Sequence, residues 1–281
     1  MRSLEYGYLW GWNICSTEPV QAIVLFSEKL GDEGETMVFL HGIAGSTRYW
    51  KSRVVPLADH NRLLFVDLLG YGKSPKPWTK YTVERHVDEL YQLLQDQEPM
   101  TLVGHSFGAF VATAFCARYP HLVKRLILIS LPYFGDKEGA IKYFSESHSA
   151  ERYVTTNIAF AAIACILTRW VLRWILPYVL RDMPLEVVQD LSRHTWRSYT
   201  SSLWDGVYGH DLFADADNLD PDCDVFCLHG SADKTAPLSG ILKLSSRHSR
   251  WRLQILQDGD HHLLLRNPEW CLAKINSAMK R

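Results

Sequence analysis

A chain of 281 residues, 47% hydrophobic and 22% charged, is long enough for a large core and has an ordinary globular composition. Thirty Lys and Arg against 31 Asp and Glu leave a formal net charge of −1, so no whole-chain field favours nucleic acid or an acidic partner. Ten Trp and thirteen Tyr are many for this length, and several of the Trp fall in one stretch.

In chain order, residues 1–20 carry Glu5 early and no sustained apolar run, so no secretory signal is read there. Strands are predicted over 22–28, 36–42 and 62–68, then an amphipathic helix over 83–97. A strand over 100–106 runs straight into a helix over 107–119, which ends before Pro120. Another strand follows over 125–130. Beyond a long interruption come a strand (223–230), a helix (237–248), a strand (252–258) and a closing helix (268–280). Continuous apolar strands alternating with helices predict an α/β fold, with a mostly parallel sheet covered on both faces.

The interruption is helical in pattern and rich in Trp and Arg. It predicts a core domain of residues 1–132 and 221–281, with a helical cap inserted over 133–220. Within it, residues 158–180, IAFAAIACILTRWVLRWILPYVL, resemble a membrane span at first sight. The uninterrupted apolar run is only about ten residues, short of the ~20 a bilayer needs. Arg169 and Arg173 sit one helical turn apart and Pro177 breaks the segment, so a buried cap helix is the first reading. An apolar substrate entrance or a membrane-touching lid is the second.

The six cysteines form no C-x-x-C pair. Cys223 and Cys227 share a face of one strand but lie roughly 13 Å apart along it, too far for a disulfide. Reduced, buried thiols in a cytoplasmic protein are expected.

The strand–helix join at 100–119 holds Gly104-His105-Ser106-Phe107-Gly108. G-x-S-x-G is weak by itself, but a strand before it and a helix after it are what a nucleophile elbow requires. Glycines at 104 and 108 remove Cβ atoms that would collide in so sharp a turn. Ser106 then projects from the sheet edge, beside the positive end of the following helix. A serine hydroxyl needs a base, and the base an orienting carboxylate. Asp233 lies just past the strand over 223–230, and His261 just past the last strand.

Four stations together resemble the α/β-hydrolase superfamily, in its cap-bearing, esterase-like branch. FLHGIAGSTRYW is similar to its H-G-x-x-G-S/T oxyanion loop, and VDLLGYGKSPKP to its D-x-x-G-x-G-x-S segment. GHSFGA is the elbow, and LHGSADKTAP is similar to its H-G-x-x-D-x-x-x-P acid loop. The order Ser106, Asp233, His261 is the triad order of that fold. The resemblance implies backbone N–H donors at Ile43 and Phe107 for an oxyanion, with Gly42 letting the chain approach. Two departures stand out. Asp260, not Gly, precedes His261, and His262 is a second candidate base. Pro268, seven residues on, matches the family pattern for His261. Asp260 is read as a turn carboxylate and Asp67 as structural, while His41 anchors its loop. His41, Trp170 and Trp174 are also candidate substrate-pocket residues.

These residues predict a serine hydrolase acting on an ester of a small, largely apolar substrate, with no cofactor and no metal site. The alternatives are carbon–carbon bond or thioester hydrolysis with the same triad, or a ligand receptor that barely turns over. Leu263 to Leu265 stand where carbon–carbon hydrolases often carry Trp, which weakens the first. A monomer or homodimer without nucleic acid is expected.

Overall fold

The computed structural model describes residues 23–146 and 151–280. The reading of the N-terminal twenty residues and Cys15 lie outside them.

Seven strands form one sheet: β1 (Ser27–Leu30), β2 (Glu35–Leu40), β3 (Asn61–Val66), β4 (Met100–His105), β5 (Val123–Ile129), β6 (Asp224–Gly230) and β7 (Arg252–Leu256). Their order is β1-β3-β2-β4-β5-β6-β7. β2 to β7 run parallel and β1 pairs antiparallel with β3. The first strand begins later than the apolar run at 22–28 predicts. At Phe26 the backbone partners are loop groups, since its N–H donates to Ser74 Oγ and its carbonyl accepts from Asp67 N–H. Ladder pairing starts only at Ser27.

Successive side chains of the central strands enter two cores. Val38, Leu40, Leu64 and Val66 pack on one face, and Met37, Phe39, Leu63 and Phe65 on the other. Among the described residues three α-helices precede β5, α1 (Arg48–Lys51), α2 (Val83–Leu94) and α3 (Phe107–Arg118). Thr82 caps α2, its Oγ1 accepting from Arg85 N–H. α3 is buried from Phe107 to Cys116, which is why its sequence is Ala, Gly, Val and Phe rather than amphipathic.

Between β5 and β6 every described element is helical: α4 (Lys137–Ser145), α5 (Glu151–Thr156), α6 (Ile158–Trp170), α7 (Leu176–Val179), α8 (Leu185–Asp190), α9 (Trp196–Ser201) and α10 (Leu212–Asp217). A π-helical turn over Ser202–Val207 continues α9. The packing does not change at 220: Leu212 and Ala216 of α10 belong to the core that α3 occupies. This helical segment is pinned to the sheet and its loops by buried polar contacts. Ser198 Oγ donates to Gly70 O (3.0 Å), Tyr71 Oη to Ser198 O (2.9 Å), and Tyr81 N–H to Ser201 Oγ (2.7 Å). α11 (Leu238–Arg247), α12 (Leu263–Arg266) and α13 (Pro268–Met279) complete the fold.

Among the described residues the cysteines are free and buried. Cys116 and Cys223 nevertheless sit with sulfurs 3.6 Å apart, a proximity between α3 and the start of β6 that sequence spacing does not show. No helix among the described residues is long and apolar enough to cross a membrane.

Candidate active site

The join between β4 and α3 places Ser106 at φ 54°, ψ −120°, a region that non-glycine residues seldom occupy. Holding a serine there costs about 1–3 kcal/mol, which the surrounding structure must impose. It does so with hydrogen bonds from Ser106 N–H to Ile129 O (2.9 Å) and from Ala109 N–H to Ser106 O (2.9 Å). The two flanking glycines clear different obstacles. A Cβ on Gly104 would lie 2.5 Å from Gly108 O, within the turn itself. One on Gly108 would lie 2.2 Å from Leu40 O, so that glycine admits the end of β2. Gly42 sits against Ser106, where a Cβ on it would be 3.0 Å from Ser106 Cβ.

Asp233 and His261 come from the loops after β6 and β7, and those loops are laced together. Ala232 N–H donates to Gly259 O (2.9 Å), and a Cβ on Gly230 would strike that same carbonyl at 2.1 Å. The result brings His261 Nδ1–H to 2.9 Å from Asp233 Oδ2 and 3.1 Å from Oδ1. Thr235 and Ala236 N–H also donate to Asp233 Oδ1, at 2.9 and 2.7 Å. Burial alone would raise the Asp233 carboxyl; the charge and hydrogen bond of His261, with the Ala236 N–H, outweigh it and hold it below its ordinary range. With Nδ1 donating to a carboxylate, Nε2 of His261 is the nitrogen free to take a proton. The N–H donors at 235 and 236 are site features the sequence reading missed, because backbone amides leave no residue-type signature.

The other histidines have structural places. His105 Nε2–H donates to His261 O (2.9 Å), and its ring stacks on Tyr49 at 4.3 Å, so it supports His261 from below. Burial, then the neighbouring His261 and His262, push it well below its ordinary pKa. His262 is half-buried; loss of solvent, then the neighbouring His261, push it down to about 3, and its backbone N–H donates to Asp260 Oδ1 (3.0 Å). Asp260 also pairs with Arg266 at 2.6 Å, so it closes the turn that orients His261. His41 is fully buried: Nδ1–H donates to Gly42 O (2.7 Å) and Nε2 accepts from Leu68 N–H (3.0 Å). Asp67 accepts from Thr47 N–H and Lys73 N–H, tying the 41–47 loop to the 67–75 loop.

Neither Ile43 N–H nor Phe107 N–H donates to a protein acceptor among the described residues. Phe107 opens α3, where the first amides have no helical partner. Ile43 precedes Ala44, whose φ of 59° turns the chain so that Gly45 N–H reaches Gly42 O (3.1 Å).

Ser106, His261 and Ile43 line one cavity of about 640 Å³. Its remaining wall comes mostly from the helices between β5 and β6, with Val154, Leu176, Leu180, Met183, Leu203 and Val207. The expected pocket residues are elsewhere. His41 is sealed behind the loop it anchors, and Trp170 and Trp174 are 71% and 70% exposed. Their positions on the helical period carry them to the outer face while Thr168 and Leu176 face the cavity. One polar feature of the cavity has no sequence signal. Asp190, 2% exposed at the end of α8, accepts from Ser46 Oγ at 2.5 Å and lies 3.8 and 3.7 Å from Arg48 and Arg193. Burial pushes its carboxyl up to about 6 against the opposing pull of Ser46 and the two arginines.

The alpha/beta hydrolase fold family matches residues 35–268, and the chain belongs to that family. It is 26% identical over 258 residues to "Probable lysophospholipase BODYGUARD 1" of Arabidopsis thaliana, an alignment covering 81% of this chain and 55% of that protein. The chain spans just over half the length of such curated relatives. Among solved structures it resembles a bromoperoxidase from Bacillus anthracis (TM-score 0.73, 19% identity, 92% and 96% of the two chains covered). An enol-lactonase from Burkholderia xenovorans LB400 superposes similarly (TM-score 0.70, 20% identity, 92% and 96% covered). At these identities the likeness is one of fold.

Proposed function

We propose that the protein is a serine hydrolase that cleaves an ester of a largely apolar substrate through an acyl-enzyme. The observation that carries this reading is the Asp233–His261 hydrogen bond in the cavity that also holds the strained Ser106. In this mechanism Ser106 Oγ attacks the ester carbonyl while its proton passes to His261 Nε2. Asp233, ionised, steadies the imidazolium that forms. The Ile43 and Phe107 N–H groups receive the negative charge on the carbonyl oxygen, each worth about 3 kcal/mol in the transition state. The alcohol leaves with the proton from His261, and water then hydrolyses the acyl-Ser106 ester by the same proton path. A wall of Leu, Val and Met suits an acyl chain, and the lysophospholipase name of the relatives is compatible with one.

A series of nitrophenyl esters of increasing acyl length tests the substrate class. The account predicts kcat/KM that rises with chain length until the cavity is full. A protein that hydrolyses none of them, while Ser106→Ala still binds an acyl ligand, would be a receptor on this fold rather than an enzyme.

A further inference from the structure

Helix α6 is apolar on two opposite faces, and only one of them is covered. Ala161, Cys165 and Thr168 turn inward, the first two buried and the third lining the cavity. Phe160, Ile163, Leu167 and Trp170, at three- and four-residue steps, form a stripe that is 44–71% exposed. Trp174 and Tyr178, in the turns that follow, extend it at 70% and 72% exposure. A helix apolar all round is ordinarily buried, and an exposed apolar patch this size marks a docking surface.

The charge around it says what docks. From Arg152 to Arg181 the chain holds four arginines and no Asp or Glu. Arg173 lies over the Trp174 ring at 4.6 Å, and Arg169 over Trp170 at 5.9 Å. Exposed Trp and Tyr rings beside guanidinium groups suit the boundary between acyl chains and anionic headgroups. A second copy fits poorly, because a two-fold contact through this face would set arginines against arginines, with Asp182 the one acid at the edge of α6 and the following turns to meet them. At 13 residues, about 20 Å long, α6 can lie on a bilayer but not span it.

We propose that the outer face of α6 and the following turns docks on the surface of an anionic lipid bilayer. The helix lies in the interface plane, its rings inserted and Arg173 and Arg181 at headgroup level. The same segment lines the cavity through Thr168, Leu176 and Leu180. Docking there sets the cavity wall at the membrane surface; on the hydrolase reading, on which this last clause rests, an acyl ester then passes to Ser106 from lipid.

The test is flotation of the full chain with phosphatidylcholine vesicles, with and without about a quarter phosphatidylglycerol, the anionic fraction that should capture arginines. Wild type should float with the anionic vesicles and be released by high salt. Trp170→Ser/Trp174→Ser should lower partitioning about tenfold, and Arg173→Gln and Arg181→Gln about fivefold each, on anionic vesicles only. Melting temperatures by circular dichroism check that each variant is folded, and single Trp170→Ser serves if the double variant is not. Failure of wild type to float, flotation indifferent to these substitutions, or a dimer that Trp170→Ser/Trp174→Ser dissociates without any vesicle binding would each overturn the proposal. Ser106→Ala should float like wild type. Lost flotation with intact ester turnover therefore sinks docking alone, and the converse sinks the hydrolase reading alone.

Discussion

The loops at the sheet's edge and the helical insertion above them build one cavity by different means. At the edge, position is set by backbone. Ser106 is held at a positive φ, Gly42, Gly104, Gly108 and Gly230 clear close approaches, and main-chain donors fix Asp233. In the helical segment between β5 and β6, position is set by side chains, through packed Phe144, Leu203 and Tyr208 and a polar seam from Ser198 and Ser201 to the core. Geometry that backbone dictates tolerates little change, whereas a side-chain wall can be repacked. On the proposed reading the edge carries the chemistry, and the helical segment between β5 and β6 carries whatever selects among substrates.

That contrast is broken most sharply at the paired histidines. His261→Ala should lower kcat for a nitrophenyl ester by on the order of 10⁴-fold or more, as for other triads. His262→Ala, whose ring packs near Tyr49 and His105, should stay within about tenfold. The reverse pattern in steady-state kinetics would exchange their roles.

The same division explains what could be read from sequence. The strained turn at Ser106 and the pairing of Asp233 with His261 were legible, because such a turn demands glycines at fixed spacing and each of the three residues follows a strand end. The alternation of apolar strands and helices likewise gave the mostly parallel sheet; it missed most at β1, where loop groups replace a strand as partners of Phe26, and ran two residues past the ends of β2, β3 and β7. The pocket was not legible. Trp170 and Trp174 share a helical segment with Thr168 and Leu176, and composition does not say which side of a helix faces in. Asp190 looks like any helix acid until Ser46, 144 residues away, is placed against it.

Stability should show the contrast next. Gly108→Ala drives a Cβ into the Leu40 carbonyl and should cost about 3 kcal/mol by urea unfolding. Leu180→Ala, in the half-buried cavity wall, should cost about 1 kcal/mol. Equal costs would mean the wall is as fixed as the edge.

Asp190 gives a pH test. Its folded pKa, about 6, lies above the ordinary carboxyl value of 3.8, so its ionisation opposes folding. Below that ordinary value both states are protonated and the group contributes nothing. As pH rises through the window to about 6 the unfolded chain loses its proton first, and stability falls. Asp190→Asn should therefore raise stability by about 2 kcal/mol at pH 8 and leave it unchanged near pH 3.5, read from unfolding midpoints at each pH. A gain of equal size at both would assign the effect to packing.

An effect as small as that of Leu180→Ala belongs to the clasp between the two regions. The Arg197 guanidinium lies over Trp78 of the core at 3.4 Å and over Trp196 at 5.2 Å. Arg197→Ala should cost about 1 kcal/mol and leave ester kcat unchanged, since the clasp is remote from the edge loops.

The central claim is that the strained serine is the nucleophile. Incubation with a fluorophosphonate, followed by intact-mass and peptide analysis, tests it directly. The account predicts one adduct per chain, on Ser106, and none in Ser106→Ala. An unlabelled wild type, or an adduct that persists in Ser106→Ala, would contradict it.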